Sequence, residues 1–195
     1  MTKQDLLEAL CDFTREAVKD LFLPVEMQED DEAQPPPRPP DVYSMGLPDF
    51  AEAEKKAPLI IHQIITGSDV FPEGGIEPVT KAVVRTVFGI YHPNSQEGPL
   101  ALLGLIERVR IAIWTRRVIG RQFKLDMKAG VDYLIYDKQF PPFYAGEMVS
   151  TWQLPSVRLE INYGKQGYSN IQSGGFGLHS AGCPESGRHY GTKEQ

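Results

Sequence analysis

Residues able to act as ligands, bases or nucleophiles are few in this chain, and they are scattered. His62, His92, His179 and His189 share no short spacing. His62 sits inside the apolar run LIIHQIIT, where an imidazole reads as a satisfied core or edge group rather than a ligand. His179, Cys183 and His189 come nearest to a metal spacing, but a closed zinc site takes four ligands, and Glu185 would have to serve as the fourth. Gly174-Gly175-Phe176-Gly177 has the glycines of a phosphate loop without its Lys-Ser/Thr pair or its strand-to-helix setting. No serine lies in a nucleophile elbow, and neither Cys11 nor Cys183 has an obvious base. Asp126, Asp132, Asp137 and Glu147 fall on or beside strand-like runs, at no spacing that marks an acid/base pair. The sequence therefore assigns no catalytic residue, no cofactor-binding residue and no metal ligand, and no enzymatic centre is expected.

The elements that would have to position any site are clearer. Gly98 to Ile119 is the longest helical pattern: Pro99 suits an early helical position, and Gly120 stands where a helix often stops. Leu102, Leu103, Ile106, Val109, Ile113 and Trp114 recur at three- and four-residue steps and predict one broad apolar stripe. Arg108, Arg110, Arg116, Arg117 and Arg121 read as its solvated face rather than as a nucleic-acid surface, in a chain whose net charge is −6. Thr2 to Phe22 predicts a second amphipathic helix, opened by a capping box of Thr2 and Asp5, with Leu6, Leu10, Phe13, Ala17 and Leu21 inward.

Three further strands are expected after the long helix, at Phe123–Met127, Asp132–Asp137 and Glu147–Leu154, with an edge strand at Val157–Tyr163. Before it come Leu59–Thr66 and Ala82–Tyr91, the latter with Val84, Thr86, Phe88 and Ile90 on its drier face. Strands that follow one another without helices pair antiparallel. The expected fold class is therefore α/β in the α+β sense, a mostly antiparallel sheet flanked by an N-terminal and a long central helix. Residues 1–163 form the single domain, interrupted at 28–57 by an acidic, proline-rich loop. Its QPPPRPP run favours extended geometry and resists core packing; the PxxP spacing of Pro36 and Pro39 reads as a spacer, not a signalling motif. Residues 164–195, rich in Gly and Ser, predict a flexible tail or an arm that orders on a partner. Two distant cysteines fit a reducing compartment, and no apolar run is long enough to span a membrane.

The order helix, long loop, LIIHQIIT, AVVRTVFGIYHP, long helix with its LIERVR centre, FKLDM and PPFYAGEMVSTWQLP resembles the tail-terminator (tail-completion) proteins of long-tailed bacteriophages. The resemblance runs from about Leu6 to Glu160. It implies a structural virion protein that forms a homo-oligomeric ring, a hexamer, capping the tail tube at the head-proximal neck. Its implied partners are the tube protein and the head-tail connector or stopper protein, with contact to DNA confined to the ring lumen and none to a membrane. Assembly in the host cytoplasm follows from the same resemblance. The proline-rich loop and the glycine-rich tail depart from compact members of that family. The alternatives are another neck or tail component, such as a stopper or tube subunit, and an unrelated small bacterial enzyme or binding domain.

Overall fold

The computed structural model describes residues 2–27, 33–47, 56–71, 73 and 78–156, all within the compact unit Met1–Leu159. The acidic run at 29–32, the expected edge strand at 157–163 and the tail at 164–195 lie outside the described residues, as do His179, Cys183, Glu185, His189 and the glycine cluster at 174–177.

Helix α1 covers Lys3–Val18 and opens as its sequence dictates. Thr2 Oγ1 accepts from the Asp5 amide at 3.2 Å, and the Asp5 carboxylate accepts from the Thr2 amide at 2.8 Å, so two amides without helical partners are satisfied reciprocally. Its buried side is Leu6, Leu7, Leu10, Cys11, Thr14 and Val18. The proline-rich segment that follows is more tightly held than its composition predicts. Leu23 and Arg38 exchange both backbone hydrogen bonds at 3.0 Å, and the Arg38 guanidinium donates to the Lys56 carbonyl at 2.8 Å. Strand β1, Asp41–Ser44, then runs parallel to the start of β2. Part of the expected 28–57 loop is thus a sheet edge, made possible because Asp41-Val42-Tyr43-Ser44 keeps its N–H groups where the prolines before it have none.

Strands β2 (Leu59–Val70), β3 (Val79–Tyr91) and β7 (Phe143–Leu154) form the long antiparallel centre. Strand β2 runs beyond the expected Thr66, because after a bulge between Ile64 and Thr66 the turn-like Gly67-Ser68-Asp69 continues its ladder with β3. Strands β4 (Val118–Ile119), β5 (Phe123–Leu125) and β6 (Val131–Ile135) complete a seven-stranded sheet. Its order is β1-β2-β3-β7-β5-β4, and β6 also pairs with β7. Only the β1–β2 pair is parallel among these ladders. The α+β class, with a mixed and mostly antiparallel sheet and two helices, is the architecture the pattern called for.

Helix α2, Glu97–Arg116, ends earlier than Gly120 suggests. Arg117 adopts φ 58° and sends its amide back to the Ile113 carbonyl at 2.9 Å, a left-handed cap made by a residue other than glycine. Gly120 serves the β4–β5 turn instead: Gly120 and Arg121 have φ 57° and 63°, and the Gln122 amide returns to the Ile119 carbonyl at 3.2 Å. The buried side of α2 is Gly98, Leu102, Leu105, Ile106, Val109 and Ile113. Two members of the predicted stripe lie elsewhere, since Leu103 is half-buried and Trp114 is exposed, while Leu105 takes a core place.

Both helices pack on one face of the sheet, where Leu6, Leu10, Leu102, Ile106 and Val109 join Ile60, Val84, Phe88, Met148 and Trp152 in one core. Gly98 marks the closest approach: a Cβ there would overlap the ring of Tyr144. Gly98→Ala is therefore expected to lower stability by about 2 kcal/mol through overpacking at the first turn of α2, seen as a reduced melting temperature. An unchanged melting temperature would mean the turn can lift without cost.

Candidate interaction surfaces

Among the described residues, the histidines and carboxylates singled out from the sequence do not converge. His62 is fully buried on β2, with Nε2 2.9 Å from Thr14 Oγ1 on α1 and Nδ1 2.9 Å from Thr86 Oγ1 on β3. Burial, reinforced by the nearby Arg15 charge, pulls its pKa down to about 4, so the ring is neutral near pH 7 and ties helix to sheet. His92 lies in the turn from β3 to α2, with Nδ1 accepting from the Asn94 amide at 3.2 Å and Nε2 3.7 Å from Glu97. Asp126 is buried and paired with Lys81 at 2.7 Å. That ion pair, opposed by desolvation and aided by the Lys128 amide and Gln153, holds its carboxyl down at about 2. Asp132 and Asp137 are exposed, and Glu147 lies half-buried beside Arg85. Among the described residues no three His, Cys, Asp or Glu side chains stand together as a metal site would need.

The first surface is the sheet face turned away from the helices. Strict alternation along β3 and β7 puts Val83, Arg85, Val87, Gly89 and Tyr91 beside Thr151, Val149, Glu147, Ala145 and Phe143, all half-buried. Neither helix covers them. Its charges are tied to one another: Arg85 Nε and Nη2 donate to Gln63 Oε1 at 3.1 and 2.7 Å, Arg85 Nη1 lies 3.9 Å from Glu147, and Tyr136 Oη donates to Glu147 at 3.0 Å. At one end the face dips into an apolar cavity of about 420 Å³, lined among others by Ile61, Val87, Gly89, Tyr136, Phe140 and Phe143. Tyr91 and Phe143 meet edge to face at its margin, with ring centroids 5.7 Å apart.

A second surface lies on the opposite side of the subunit. Leu100, Leu103, Glu107, Ile111 and Trp114 follow one another at steps of three and four residues along the outer side of α2. Leu100 is 69% exposed, Ile111 54% and Trp114 37%, so this helix is apolar both toward the core and away from it. Gly104 sits within the stripe with open space where a Cβ would be, which lets another backbone approach closely. Single exposed apolar residues are ordinary; an aligned row on a helix whose other side is already buried is a candidate contact surface. The spacing was present in the sequence, where one stripe was read across positions that the fold divides between two.

The five arginines also divide. Arg108 pairs with Asp20 at 2.5 Å and Arg110 with Glu107 at 2.7 Å. Arg116, Arg117 and Arg121 gather at the corner where α2 ends and β4 turns into β5, and among the described residues none of them meets a carboxylate. No helix among the described residues is long and apolar enough to cross a membrane. No protein-family model matches this chain, and no curated protein matches it.

Proposed function

We propose that this protein is a structural subunit of a bacteriophage tail, a tail terminator that closes the tube as a ring and presents the joint to the head connector. The observation that carries this reading is a pair of different surfaces on opposite sides of the subunit that no described helix covers, the apolar outer stripe of α2 and the mixed polar and apolar helix-free face of the sheet. A ring built by head-to-tail contacts needs two different faces on every copy, one to meet each neighbour. The element order adds support: an N-terminal helix, a long connection, a β2–β3 hairpin, a long helix and a final strand bearing Trp152 follow the succession that the resemblance implies. The proposed partners are further copies of the chain, six to a ring, with the tube protein on one side and the connector or stopper protein on the other. DNA would be met only in the lumen.

Deleting the gene from the phage that carries it tests this. Filled heads and unjoined tails are the expected products, with tubes unfinished at the head-proximal end or running past normal length. Normally joined virions would count against the reading, and protein spread along the side of the tube would favour a tube subunit.

A further inference from the structure

Between α1 and the end of α2 runs a groove of about 810 Å³ whose floor is Phe13, Ala17, Ala112 and Val118. Its rim carries Thr115, Arg116 and Arg121, together with Glu16. Glu16 is paired with Lys19, whereas neither Arg116 nor Arg121 forms an ion pair among the described residues. The corner is also conformationally unusual. Arg117 and Arg121 both hold positive φ, which costs a residue with a side chain on the order of 1 kcal/mol each. Of these two, Arg121 lies on the groove itself, at a turn position that glycine or asparagine would hold with less strain.

We infer that this groove binds an acidic peptide segment of a partner protein, one that carries an apolar side chain among its carboxylates. Guanidinium groups on the rim would take the carboxylates by charge-assisted, two-pronged hydrogen bonds, and the aliphatic and aromatic floor would take the anchor. Nucleic acid fits less well. The floor offers aliphatic side chains and a single phenyl ring rather than a row of aromatic platforms on which bases would stack. The groove is open in a single subunit, so binding here does not require ring formation.

A suitable probe comes from the chain's own sequence, a fluorescein-labelled peptide of residues 26–34, EMQEDDEAQ, titrated with the purified protein and followed by fluorescence anisotropy. Saturable binding that weakens as salt rises is expected, together with a loss of about tenfold or more in the Arg116→Glu, Arg121→Asn double variant. Asparagine is chosen at 121 because it tolerates the left-handed backbone, and Arg116→Gln provides a milder second variant. An isosteric probe with its carboxylates changed to amides should not bind, and one with its methionine changed to serine should bind several-fold more weakly. Three results would overturn the inference: no saturable binding, equal binding by wild type and the double variant with matching circular dichroism, or tighter arginine-dependent binding of an oligothymidylate than of the peptide.

Discussion

Ile106→Asp is expected to unfold the protein or to leave it insoluble at ordinary temperature. Ile106 is fully buried on the inner side of α2, and its Cδ1 lies close enough to β7 that a Cβ on Gly146 would stand 3.1 Å from it. A carboxylate there would lose its hydration inside an apolar layer, at a cost of roughly 5 kcal/mol, which is comparable with the whole stability of many domains. The matching change on the outer stripe, Ile111→Asp, should move stability by about 0.5 kcal/mol or less, since that position is open to solvent. Thermal melts of the two variants side by side separate the two faces of one helix. Similar melting temperatures for both would mean that the inner and outer faces are wrongly assigned.

Acid should weaken the fold in two separate windows. His62 is neutral in the folded state because burial holds its pKa at about 4, whereas in the unfolded chain it titrates near 6.5. Between those values the unfolded state binds the extra proton, so stability is complete above pH 6.5 and falls as the pH drops toward 4. The full effect is about 3 kcal/mol, the largest single pH term expected from the described residues. The carboxyl of Asp126, lowered to about 2 by Lys81, also contributes stability that is lost on acidification, but only below the ordinary aspartate range near 3.8. Denaturant midpoints measured from pH 7 to pH 4 should therefore decline in the wild type and stay nearly flat in His62→Gln. A wild-type slope that survives in His62→Gln would place the proton elsewhere and remove His62 from this role.

The parts of the fold that repeat with a period were legible before any coordinates. Val84, Thr86, Phe88 and Ile90 alternate with a half-buried partner set, and the structure puts those four on the helix-covered face. The capping box at Thr2 and Asp5 was equally plain, because its two hydrogen bonds span only three residues. Features decided by tertiary pairing were not. Nothing local in Gly67-Ser68-Asp69 announces a strand, and only the facing residues of β3 make it one. Arg117 ends α2 because Val118 must turn to pair with β5, a demand that no helix-stop signal records. Trp114 follows Ile113 by one position, a 100° step around the helix that takes it off the buried side. The surfaces were hidden for the same reason, since an apolar row reads as core until another row is seen to occupy the core. Charge was half legible: five arginines were visible, but only the folded chain separates Arg108 and Arg110, which have acidic partners, from Arg116, Arg117 and Arg121, which meet none among the described residues.

The most direct test of the central claim is to mix the purified protein with purified tail tubes and image the tube ends by electron microscopy. The account predicts a closed six-fold ring seated at one end only, lost when the outer stripe of α2 is made polar by Ile111→Lys with Trp114→Ser while the melting temperature stays near that of the wild type. Bare tube ends with the protein remaining monomeric, or protein decorating the tube along its length, would contradict it.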